Sequence, residues 1–115
     1  MAPKLTLALA LASTLSLPAA AGSSGKYDGN WSVSIVTEKG SCDAYNWTIV
    51  VGGNRLLRVD AMPISASGSI DAHGQARFLL ASMVTANGMM QDATGSGHWD
   101  APTKSCSGHW RAARL

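Results

Sequence analysis

The chain has 115 residues and a formal net charge of +2, with nine basic and seven acidic side chains and no basic run or stripe. That length holds one domain, and that charge pattern excludes a nucleic-acid or acidic-lipid partner as an implied one. Only 14% of the residues are charged and two are cysteine, so the fold depends on a small apolar core and whatever covalent bracing the cysteines supply.

Met1 to Lys4 form a short positive segment, Leu5 to Leu17 an apolar run, and Pro18 followed by Ala19-Ala20-Ala21 a small-residue cleavage site. This pattern is that of a secretory signal peptide over residues 1–21, and the run is too short for a membrane-spanning helix. The expected protein is therefore exported, periplasmic or secreted, and carries no membrane insertion after cleavage. Residues 22–29 read as a Gly- and Ser-rich flexible linker and residues 30–115 as a single β domain. Cys42 and Cys106, 64 positions apart, are expected to form one disulfide in an oxidising compartment. Closing a loop that long contributes about 4 kcal/mol in the chain-entropy description.

The mature chain reads as β almost throughout. Asn30 to Thr37 alternates, with Trp31, Val33 and Ile35 on one face, and a turn follows at Glu38 to Ser41. Ala44 to Val51 alternates again, aligning Tyr45, Trp47, Ile49 and Val51, and Gly52-Gly53-Asn54 is a hairpin signal. Arg55 to Asp60 and Ile64 to Ile70 are the third and fourth strands, Asp71 to Gly74 a turn, and Ala76 to Val84 a fifth strand or a short helix. Asn87-Gly88 marks a further hairpin. Met89 to Ala93, Thr94 to Asp100 and Ser105 to Ala112 complete the meander. Seven or eight short strands close either as an up-and-down barrel or as a two-layer sandwich, and a disulfide joining the two ends of the meander favours the barrel.

One internal repeat stands out: Ser96-Gly97-His98-Trp99 recurs as Ser107-Gly108-His109-Trp110. Pairing His98 with His109 sets Trp99 against Gly108 and Trp110 against Gly97, with both rings on one face and both imidazoles on the other. A two-histidine metal site would need further ligands, with His73, Met83, Met89 and Met90 the available ones; the pattern places only two, so no metal and no cofactor are assigned. There is no G-x-S-x-G elbow and no phosphate-cradling loop. Glu38 is the only glutamate, and the aspartates fall mostly in turns, so no enzyme is expected. The aromatic residues Tyr45, Trp47, Trp99 and Trp110 are the candidate ligand-binding set, with the core as their competing destination.

The segment Asp28-Gly29-Asn30-Trp31-Ser32-Val33-Ser34-Ile35-Val36-Thr37, continuing to Gly40-Ser41-Cys42-Asp43-Ala44-Tyr45, resembles the opening of a group of small exported bacterial proteins. Gly95 to Ala112 resembles their G-S-G-x-W…C-S-G-x-W-x-A tail. The resemblance implies export and the Cys42–Cys106 pair, and brings no chemistry with it. Gly29-Asn30-Trp31, together with Arg111 or Arg114, is also similar to calycins, which pair a G-x-W in the first strand with a basic residue from the last. That likeness implies a small barrel and two roles, ligand carriage or periplasmic protease inhibition. The function expected is thus a non-enzymatic exported module, a monomer, that binds a small apolar ligand or a surface polymer. The alternative is an inhibitor acting through Gly22 to Gly29 or a loop.

Overall fold

The structure, a computed structural model, describes residues 25–115; the expected signal peptide at 1–21 lies outside them. Eight antiparallel strands follow one another around a closed barrel: β1 (Gly29–Lys39), β2 (Tyr45–Gly52), β3 (Arg55–Val59), β4 (Ala66–Ile70), β5 (Gln75–Leu80), β6 (Val84–Gln91), β7 (Thr94–Ala101) and β8 (Cys106–Arg114). Each strand pairs with its neighbours in sequence, and β1 pairs with β8 to close the sheet. A sheet closed on itself leaves no unpaired edge. The barrel, rather than the sandwich, is the architecture.

Alternation explains the wall. Along β1 the buried positions are Trp31 and Val33, while Ser32 and Ser34 face out; along β5, Ala76, Phe78 and Leu80 are buried between exposed Gln75, Arg77 and Leu79. Every side chain buried in the described domain is apolar. The hairpin at Gly52-Gly53-Asn54 and the turn at Asp71 to Gly74 fall where their residues indicate, with Gly53, Asn54 and Gly74 at positive φ.

Three sequence expectations are corrected. Asn87-Gly88 is not a turn: it lies in mid-β6, where Asn87 is flanked by Arg77 and His98 and Gly88 by Ala76 and Gly97. Gly88 is there for space, since a Cβ at that position would sit 2.6 Å from Cζ2 of Trp110. The turn belongs instead to Ala81 and Ser82, both left-handed (φ 52° and 56°), and to Asp92 (φ 30°); this also settles the fifth element as a strand ending at Leu80. Residues 25–29 are not a linker. Tyr27 is 4% exposed and part of the core, and Gly29 already belongs to β1.

The two ends of the barrel differ. One is plugged by Tyr27, Trp31 and Met90, all buried. Trp31 donates its indole N–H to the Tyr27 carbonyl at 2.9 Å, and the Asp28 carboxylate accepts from the amides of Asn54 (2.9 Å) and Gly25 (2.6 Å). The other end carries the Cys42–Cys106 disulfide, with Cα atoms 6.2 Å apart, within the usual span of such a bond. It ties the β1–β2 loop to the start of β8 and leaves this end open.

Candidate functional site

The SGHW repeat shapes the interior. β7 and β8 pair with His98 opposite His109, Trp99 opposite Gly108 and Trp110 opposite Gly97, the register expected from the repeat. The indoles point inward and are buried, while the imidazoles lie on the outside wall, His98 exposed and His109 half-buried with its Nδ1 3.2 Å from Glu38 Oε2. Each ring crosses the glycine opposite it and ends on the next strand. Trp99 passes over Gly108 and donates to the Val36 carbonyl of β1 (3.0 Å). Trp110 passes over Gly97 towards Gly88 of β6 and donates to the His98 carbonyl (3.2 Å). Glycines beneath, with one strand carbonyl accepting from each indole N–H (Val36 on β1, His98 on β7), hold both rings against the wall.

A space therefore remains inside. It has a volume of about 490 Å³ and opens at the disulfide end, within the range of small-molecule sites. Its walls include Ile35, Trp47, Phe78, Leu80, Trp99 and Trp110, and its rim Ser41, Cys42, Asp43, Tyr45, Met62 and Lys104. Trp47 stacks on Tyr45 with ring centres 5.3 Å apart, and Phe78 lies against Trp110 at 6.3 Å. Along β2 the lining runs from Tyr45 to Ile49, four residues at about 3.3 Å each on a tilted strand, so the cup is about 10 Å deep.

The structure thus brings the four candidate aromatics, Tyr45, Trp47, Trp99 and Trp110, to one cavity. Core and cavity lining are not alternatives here. Trp99 and Trp110 are core residues whose inner faces line the cup, Trp47 is half-buried, and Tyr45 is 44% exposed at the rim. Sequence reasoning missed Phe78, Leu80, Met62 and Ile64, which complete the lining. Phe78 and Leu80 were legible as an inward face of β5; Met62 and Ile64 sit in the β3–β4 connection and carried no signal.

The histidine and methionine set does not converge. His73 belongs to the β4–β5 turn at the closed end, Met83 lines the cup, Met89 is exposed on the outer wall and Met90 is in the plug. Among the described residues no three His, Cys, Asp or Glu side chains group as metal ligands. A second concavity, of about 530 Å³, is an open trough on the polar outer wall over Ser32, Ser34, Ser96 and Arg111.

The geometry defines the class of protein as a small closed antiparallel barrel, plugged at one end and holding an apolar cup at the other. Compared with family models, curated proteins and solved structures, the chain finds no match in any of the three.

Proposed function

We propose that this is an exported, non-enzymatic binding protein, active as a monomer, whose cup takes up a small apolar ligand. The observation that carries the reading is the cup itself: about 490 Å³ of apolar space ringed by Tyr45, Trp47, Phe78, Trp99 and Trp110 in a domain too small to leave space unfilled without cost. Concave, mostly apolar, pre-formed cavities are the usual form of small-molecule sites, and aromatic walls add favourable ring contacts beyond the area they bury. Export is supported by the leader pattern of residues 1–21 and by a disulfide that suits an oxidising compartment.

The rival readings have less behind them. A polymer-binding face needs aromatics spread over the outer wall, whereas of the four candidates only Tyr45 is exposed. Arg114 over Trp31 (4.5 Å) is the arrangement that the calycin likeness leads one to expect, and it serves carrier and inhibitor equally. The inhibitor reading, however, wants a free N-terminal segment, and Gly25, Tyr27 and Asp28 are bound into the plug.

The test is a titration of the oxidised protein with the neutral fluorophore N-phenyl-1-naphthylamine, which brightens in a dry apolar site. One-to-one saturable binding is expected, weakened at least about tenfold by Val84→Trp, which places a large ring in the lining, while the cooperative melt is retained. Emission that rises without saturation, or that ignores Val84→Trp, defeats the reading.

A further inference from the structure

Below its rim the cup offers a single side-chain donor, the half-buried Trp47 indole N–H, and its floor offers none. No polar or charged side chain is buried in the described domain, and no buried side-chain nitrogen or oxygen there lacks a hydrogen-bond partner. The indole N–H groups of Trp99 and Trp110 are both spent on strand carbonyls. The polar side-chain atoms of the lining belong to Ser41, Asp43, Tyr45, Trp47 and Lys104, none of which is buried. All but Trp47 stand at the rim, and the two charged ones, Asp43 and Lys104, lie close to the disulfide in sequence and form no ion pair within 4.0 Å among the described residues.

Resting on the reading of the cup as a ligand site, we infer that its ligand is a compact amphiphile with polar groups at one end only. The hydrocarbon end enters, and the polar end stays beside Asp43 and Lys104. A second polar group at the far end of the ligand would exchange water for a wall of Ile49, Leu56 and Phe78 with nothing to bond to, and that exchange is costly. Selection therefore comes from what the interior lacks: a molecule with hydroxyl or carboxyl groups at both ends is rejected even when its shape fits.

The experiment is displacement of N-phenyl-1-naphthylamine from the oxidised protein by two matched pairs: octanoic against 8-hydroxyoctanoic acid, and 2-naphthoic against 6-hydroxy-2-naphthoic acid. Within each pair charge and hydrocarbon frame are the same, and only the distal hydroxyl differs. The expected result is that at least one parent acid displaces the probe, and that its hydroxylated partner does so at least about tenfold less well. Lys104→Glu, an exposed rim change, should weaken the bound parent acid by about threefold and the neutral probe by much less. A hydroxylated partner as potent as its parent overturns the inference, as does an acid affinity that ignores Lys104→Glu. A probe that binds and is displaced by neither parent also overturns it, leaving the cup as a site for something else. A probe that does not bind removes the cup reading itself and this inference with it.

Discussion

The guanidinium of Arg114 lies over the ring of Trp31, its central carbon 4.5 Å from the ring centre. The same group donates to the carbonyls of Asp28 (2.6 Å), Lys26 (2.9 Å) and Asp92 (3.0 Å). One side chain from the end of the last strand thus caps a buried aromatic from the start of the first, and binds the N-terminal turn and the β6–β7 turn to it.

That arrangement needs a planar fork of donors above a ring face, which an ammonium does not supply. Arg114→Lys is expected to destabilise the fold by about 2 kcal/mol, and Arg114→Ala by somewhat more. Urea unfolding monitored by far-UV dichroism checks this; a Lys variant with wild-type midpoint would show the fork to be ornamental.

The disulfide predicts a larger loss. The double replacement Cys42→Ser with Cys106→Ser should cost about 4 kcal/mol by loop entropy. At roughly 4–8 °C per kcal/mol for a domain of this size, the melting temperature should fall by at least about 15 °C. A scanning calorimetry trace that barely moves would mean the barrel closes as firmly without the bond.

Gly108 offers a test of the repeat. A Cβ there would press on the Val36 carbonyl and come within 2.9 Å of Trp99 Nε1, and the β1 backbone cannot retreat without opening the β1–β8 seam. Gly108→Ala is expected to cost about 2–3 kcal/mol and to red-shift tryptophan emission as Trp99 is dislodged.

Two aspartates set the acid limit. The Asn54 amide holds the Asp28 carboxyl below its usual value; partial desolvation opposes this, and the Gly25 amide and Arg114 reinforce it. The Gln75 amide does the same for Asp71, opposed by desolvation and reinforced by the His73 amide. A depressed folded-state value means that the ionised form stabilises the fold. The contribution is full above the unfolded value, about 3.9, and is lost as pH falls through the lowered folded value. Stability should therefore decline below about pH 4, and Asp28→Asn should flatten that decline while lowering the plateau at neutral pH.

The β5–β6 turn is open to improvement. Ala81 and Ser82 both sit at positive φ, which non-glycine residues adopt at a cost. Ala81→Asn with Ser82→Gly supplies the preferred residues for the two left-handed central positions of the turn closed by Met83 N–H to the Leu80 carbonyl and should raise stability by about 1 kcal/mol. An unchanged urea midpoint would argue that the turn is already relaxed.

Ala81-Ser82 and Asn87-Gly88 mark two places where the sequence could not be read. Alternation in β1, β2 and β5 and the register of the SGHW repeat were legible because each follows from local period or pairing geometry, and the disulfide because two cysteines behind an export leader leave one pairing. The turn at Ala81-Ser82 was invisible because neither residue type favours the left-handed region; the conformation is imposed by the strands on either side. Asn87-Gly88 misled for the converse reason. Its glycine answers to an indole from two strands away, a demand that short-range turn chemistry does not register. Tyr27 looked like part of a linker because its burial depends on Asn54 and Trp31, and the cup was out of reach because a cavity is what packing leaves over.

The β1–β8 seam also governs when the molecule can exist. Asp28 and Arg114 are 86 positions apart, and both the seam and the disulfide need β8, so until the final nine-residue strand is available the earlier strands form an open ribbon without a lid on its plug or a partner for Cys42. Synthesis proceeds towards that strand, and closure waits for it. Barrel closure is thus a pairing of high sequence separation, and it falls, together with the disulfide, at the end of the order in which neighbouring strands can pair.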